Sequence, residues 1–159
     1  MTPASLARNL IDAARARGWH IATAESCTGG LVSAAITDIA GASDVFDRGF
    51  VCYSYPAKTA MLGVPAEMLA AHGAVAEPVA RAMAEGALAG SHADLALAVT
   101  GVAGPGASEA KPEGLVWFAT ATRTATRTEH RDFGPLGRER VRALSVETAL
   151  ELALRAIVT

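Results

Sequence analysis

Apolar positions along the chain switch between two periods, and the switches predict alternating helices and strands. Leu6, Leu10, Ile11 and Ala14 recur at helical spacing over residues 3 to 18, where Gly18 closes the segment. His20 to Ala24 is expected to be a short strand. Glu25-Ser26-Cys27-Thr28-Gly29-Gly30 then makes a tight turn into a second helix, Leu31 to Ile39. Gly41, Ala42 and Ser43 break that pattern, and a further strand is expected from Phe50 to Ser54, stopped by Tyr55-Pro56. From Pro56 to Gly90 the chain is alanine-rich and reads as helical. Pro65 and Pro78 mark helix starts, because proline fits a first helical position. Asp94 to Thr100 has the continuous apolar character of a buried strand and leaves into a loop carrying Gly101, Gly104, Pro105 and Gly106. Leu115 to Thr122 and Thr126 to Phe133 read as an antiparallel pair, the second alternating and more polar. Arg138 to Val158 closes the chain as a long amphipathic helix.

Strands interleaved with helices at this spacing predict an α/β fold, a three-layer α/β/α sandwich around a mixed parallel/antiparallel sheet. No repeat, low-complexity tract or linker divides residues 1–159, which read as a single domain.

Composition narrows the picture mainly by exclusion. With 51% hydrophobic and 19% charged residues, disorder and a coiled coil both fit poorly. A net charge of −2, no run of basic residues and few, scattered aromatics argue against a nucleic-acid face. The start lacks the apolar core of a signal peptide, and no apolar run reaches the roughly 18 residues of a membrane span. The expectation is therefore no membrane partner and a cytoplasmic location. Cys27 and Cys52 cannot build a disulfide framework and read as free thiols. Of the 14 basic residues only Lys58 and Lys111 are lysine. Those two matter because lysine, unlike arginine, readily becomes a neutral amine base.

Three features can carry chemistry. In Thr23-Ala24-Glu25-Ser26-Cys27-Thr28-Gly29-Gly30, a polar residue between a strand and a helix sits beside unpaired backbone N–H groups that bind anions or oxyanions. Gly29 and Gly30 allow close backbone approach, although Ser26 or Thr28 acting as a helix cap is an equally good reading. Second, Tyr53 and Lys58 straddle a predicted strand–helix junction. A lysine depressed by burial can serve a serine as base, with a tyrosine relaying the proton; a surface lysine is the plainer alternative. His20, His72, His92 and His130 lie in settings that suggest no such role. Third, Thr100-Gly101-Val102-Ala103-Gly104-Pro105-Gly106 could form a phosphate nest or a mere crossover loop. It has neither the Walker ending nor a dinucleotide fingerprint. No metal-ligand spacing occurs, so no metal is expected. Cys27 is a weaker candidate nucleophile, lacking a histidine nearby in sequence.

In this order the features resemble the CinA C-terminal domain family, whose members include bacterial nicotinamide-nucleotide amidases. The likeness rests on Thr-Ala-Glu-Ser-Cys-Thr-Gly-Gly at 23–30, Ile-Thr-Asp-Ile-Ala-Gly-Ala-Ser at 36–43 and Arg-Gly-Phe-Val-Cys-Tyr-Ser at 48–54. It continues through Ala-Lys at 57–58, Leu-Gly-Val at 62–64, His-Gly-Ala-Val-Ala-Glu-Pro-Val at 72–79, Val99 to Gly106 and Lys111-Pro112. The resemblance implies deamidation of nicotinamide mononucleotide in pyridine-nucleotide salvage, with Ser26 as nucleophile, Tyr53 and Lys58 assisting, and no cofactor. Backbone N–H groups near Cys27 and Thr28 would hold the oxyanion. Thr28, Gly29, Gly30, Thr100, Gly101, Gly104 and Gly106 are the expected ligand-cradling positions. A homo-oligomer is also implied, without a surface to assign it to.

Two departures bear on substrate fit. Tyr55-Pro56 stands where the family commonly has Asn-Glu, and Ala107 where glycine often continues the loop. Many relatives carry a large additional N-terminal domain, and its absence here implies a standalone amidase. Two other readings stay open: a nucleotide-binding, competence-associated regulatory module without turnover, and a phosphotransferase, which lacks a metal-binding carboxylate pair.

Overall fold

Five strands, β1 (Ile21–Glu25), β2 (Phe46–Val51), β3 (Leu95–Gly101), β4 (Leu115–Thr122) and β5 (Thr126–Asp132), form one sheet in the computed structural model, which describes residues 1–159. Their spatial order is β2-β1-β3-β4-β5. β2 and β3 run parallel to β1, while β4 and β5 are antiparallel additions. Helices α1 (Pro3–Arg17), α2 (Leu31–Thr37) and α6 (Arg138–Val158) pack on one face; α3 (Tyr55–Leu62), α4 (Ala66–His72) and α5 (Glu77–Ala89) cover the other. The predicted three-layer sandwich around a mixed sheet is the observed architecture.

Side-chain alternation explains why the two faces differ. Along β3, Leu95, Leu97 and Val99 enter the core with α1 and α6, whereas Ala96 and Ala98 face α5. β4 repeats the division, with Val116 and Phe118 on the first face and Ala119 and Ala121 on the second. Alanines on the sheet let α5 lie close. The closeness extends to α3: a Cβ added at Gly86 would stand 2.0 Å from the Leu62 carbonyl oxygen. Gly86→Ala is therefore expected to lower stability by about 1–3 kcal/mol, overriding the helix-propensity gain of roughly 1 kcal/mol. Urea denaturation checks the sign.

The edge strand departs from expectation. It occupies Phe46–Val51, not Phe50 to Ser54. As the sheet edge it has no fully buried position, so Asp47, Arg48 and Gly49 conceal it from a search for apolar runs. Tyr55-Pro56 does not merely stop a strand. It opens α3, with Ser54 Oγ accepting the Ala57 N–H at 3.2 Å. A consequence governs the site: the three parallel strands end on one side of the sheet, delivering Ser26, Cys52–Tyr53 and Gly101 to a single edge.

Candidate active site

Lys58 lies one turn before Leu62 on the buried face of α3, so its stem follows the apolar layer and its amine emerges beneath the strand ends. It is fully buried. Nζ stands 2.9 Å from Ser26 Oγ, 3.0 Å from the Cys52 carbonyl oxygen and 3.1 Å from that of Tyr53. No carboxylate touches it. Burial pushes its pKa below the ordinary lysine value, opposed by Cys52, Glu109 and Cys27. A neutral amine carries two hydrogens and one lone pair. In that neutral form the two carbonyls take the hydrogens, which leaves the lone pair for the Ser26 hydroxyl.

Ser26 leaves the end of β1 with its N–H donated to Val99 O at 3.0 Å. The next two backbone N–H groups, of Cys27 and Thr28, make no hydrogen bond within the chain. Their turn is held from both sides. Glu25 is buried and accepts five donors: the Thr28 hydroxyl at 2.6 Å, the N–H groups of Gly30, Val32 and Ser33 at 3.2, 2.9 and 2.9 Å, and the Ser33 hydroxyl at 2.7 Å. From α6, Arg142 donates to the carbonyls of Cys27 at 3.0 Å and Thr28 at 3.3 Å. Gly29 and Gly30 adopt φ of 56° and 108°, which allows the chain to fold back over the carboxylate. The structure sets Thr28, Gly29 and Gly30, the expected ligand-cradling positions, in this turn. They lie off the cleft lining, and the donors at the start of α2 are occupied by Glu25.

A cleft of about 420 Å³ opens over Ser26 and Lys58. Thr100, Gly101, Gly104 and Gly106 line the cleft. The Thr100 hydroxyl is engaged, donating to Ala74 O at 3.0 Å. Arg138, at the start of α6, donates to Gly104 O at 2.8 Å and to the Tyr53 hydroxyl at 2.6 Å. Tyr53, 57% exposed, therefore meets Lys58 through its carbonyl, while its phenol is held at the rim by arginine. Cys27 also lines the cleft. Burial raises its thiol pKa to about 11, so it stays protonated and a poor nucleophile at neutral pH.

The cleft also holds a carboxylate, Glu109, that sequence reasoning did not single out. The Glu109 carboxylate accepts the N–H groups of Ala74 at 2.9 Å and Val75 at 3.1 Å, along with the Tyr55 hydroxyl. Lys111 pairs with it at 3.4 Å. Arg138 and Arg142 share a face of α6 at i, i+4, a local signal that two cations act together, though nothing local says on what. Glu25 carried a signal too, an acidic residue placed just before a helix start. No three His, Cys, Asp or Glu side chains converge anywhere in the chain, and no helix is long and apolar enough to cross a membrane.

Comparison with known proteins identifies the family. A family model described as the CinA C-terminal domain matches residues 3–157. Nicotinamide-nucleotide amidohydrolase PncC of Escherichia coli K12 is 50% identical over 147 residues, covering 92% of this chain and 89% of that protein. A CinA-like protein of Syntrophobacter fumaroxidans is 51% identical over 144 residues, 90% of this chain; the match spans only 34% of that longer relative. Among solved structures, competence/damage inducible protein CihA from Agrobacterium tumefaciens superposes with a TM-score of 0.94 at 47% identity, covering 99% of this chain and 96% of the other. A competence damage-inducible protein A from Klebsiella pneumoniae superposes with a TM-score of 0.96 at 40% identity, covering 99% and 98%. Because the match runs from the first helix into the last, the chain belongs to the CinA C-terminal domain family.

Proposed function

We propose that this protein hydrolyses the carboxamide of nicotinamide mononucleotide, giving nicotinate mononucleotide and ammonia through an acyl-serine intermediate. The observation that carries the reading is a buried lysine amine, without a carboxylate partner, 2.9 Å from a serine hydroxyl at the floor of a cleft. The PncC relative, named for this activity and half identical over nearly the full chain, supports the substrate.

In this reading Ser26 Oγ attacks the carboxamide carbon while Lys58 Nζ accepts its proton. The free N–H group of Cys27, which lines the cleft, holds the oxyanion that forms. Lys58 returns the proton to the departing nitrogen as the C–N bond breaks, and ammonia leaves. A water then adds to the ester, giving its proton to Lys58; the acid is released and Ser26 regains its hydrogen. Arg138, the arginine of the cleft, faces the phosphate. Tyr53 contributes its carbonyl to Lys58 and, through Arg138, a fixed rim.

Ammonia release from nicotinamide mononucleotide by the purified protein, with chelator present, tests the proposal. Release matched by nicotinate mononucleotide is expected. Tight binding of the nucleotide without release would favour a regulatory module instead. The pH profile adds a check on the base. A lysine must be neutral to accept a proton, so kcat/KM rises with pH as Lys58 deprotonates. Burial lowers its pKa, hence the rise is expected below the ordinary lysine value of about 10.4. A midpoint at that ordinary value would count against Lys58 as the base.

A further inference from the structure

The cleft is electrically two-sided. Arg138 lies against Tyr53 on one side, and Glu109 lies against Tyr55 on the other. Glu109 is the one acidic residue lining the cleft. Its counter-ion Lys111 is outside the lining, so the pair presents its negative end to the ligand. Lys58 does not cancel that end when its amine is neutral. Tyr53 and Tyr55, both exposed, add aromatic surface of the kind that attracts a cation.

The carboxylate is also held rigidly. Glu109 and Ala110 both occupy left-handed backbone, φ 56° and 60°, a conformation costly for residues with a side chain. Bonds from Ala74, Val75, Tyr55 and Lys111 fix the acid in place. Burial favours the neutral acid, but these donors outweigh it and hold the Glu109 pKa below the usual carboxylate value. The same contact raises the pKa of the Tyr55 hydroxyl.

We propose that Glu109 is a specificity-determining residue that selects phosphorylated aromatic ligands whose ring carries a fixed positive charge. The inference rests on reading the cleft as a pyridine-nucleotide site. An N-glycosylated pyridinium places a permanent cation beside the carboxylate while its phosphate meets Arg138. A neutral ring of the same shape keeps the phosphate contact and loses the other.

The test compares binding of two ligands to a Ser26→Ala protein by calorimetry. One is nicotinamide mononucleotide; the other is its carbon-linked counterpart with a neutral 3-carbamoylphenyl ring. A preference of roughly tenfold for the cationic ring is expected. Glu109→Gln should erase that preference by weakening the cationic ligand alone. Lys111→Met, which keeps the carboxylate and removes its counter-ion, should enlarge the preference. Arg138→Leu should weaken both ligands alike. Equal affinities, no binding of either ligand, or a Glu109→Gln protein that loses both equally would overturn the proposal, the last assigning Glu109 a structural role only. The outcome separates from the hydrolysis question: charge preference without ammonia release from the unmodified protein retains the inference and removes the amidase reading, and release without preference does the reverse.

Discussion

Ser26→Ala is expected to reduce ammonia release from nicotinamide mononucleotide by roughly 10⁴-fold or more, leaving the fold intact. The side chain is small, and its neighbours Val99 O and Gly29 N are engaged by the Ser26 main chain, so the turn loses no support. Lys58→Met should bring a loss of similar size, since no other base lies within hydrogen-bond reach of the hydroxyl. The two groups act on one proton. The double variant is therefore expected to be little worse than either single one, the signature of a unit rather than of independent contributions. Methionine roughly fills the volume of the buried stem but leaves the Cys52 and Tyr53 carbonyls without a donor, which costs about 1–3 kcal/mol each if water does not reach them. Circular dichroism and thermal melts separate that cost from the loss of turnover. A Lys58→Met protein with near-normal kcat would remove lysine from the proposed mechanism.

Glu25→Gln should be the most destabilising single substitution in the site. Both carboxylate oxygens face only donors, five in all, from a turn and from the first turn of α2. An amide puts an NH₂ group where an acceptor is needed, opposing either the Ser33 donors or those of Thr28, Gly30 and Val32. Breaking a buried network of this kind costs on the order of 3–5 kcal/mol. For a protein of this size the melting temperature should fall by roughly 6–20 °C. Activity should fall as well in the fraction that remains folded, because the Cys27 and Thr28 N–H groups take their direction from the turn that Glu25 holds. Scanning calorimetry with single-turnover assays below the transition measures both. A variant with unchanged melting temperature would mean that the turn is held by Arg142 alone.

Much of the fold was legible along the chain because periodicity reports which faces are buried. Leu95, Leu97 and Val99 alternating with Ala96 and Ala98 marked a strand covered on both sides. The long amphipathic pattern gave α6 its observed limits, Arg138–Val158. Capping chemistry limited the helices in the same local way, with Gly18 ending α1 in left-handed backbone. Where burial is slight the pattern fades, and β2 at the sheet edge was misplaced for that reason.

The site divides along the same line. Residue chemistry and the family resemblance pointed to Ser26 and Lys58, but whether Lys58 was a solvated surface cation or a base could not be read from its own stretch of chain. That depended on α3 turning its Lys58–Leu62 face into the core and on β1 and β2 ending side by side. Tyr53 showed the limit most clearly, since its phenol was diverted to Arg138, 85 positions away, leaving its carbonyl to face Lys58. Glu25, Glu109 and Arg142 gained their roles in the same manner, through partners brought together only by packing. By itself the sequence determined the order of elements, the faces they bury and the chemically able residues. Only the tertiary structure decided which of those residues are dry, which are paired and which share a cleft, because desolvation and hydrogen-bond geometry depend on segments that are distant along the chain.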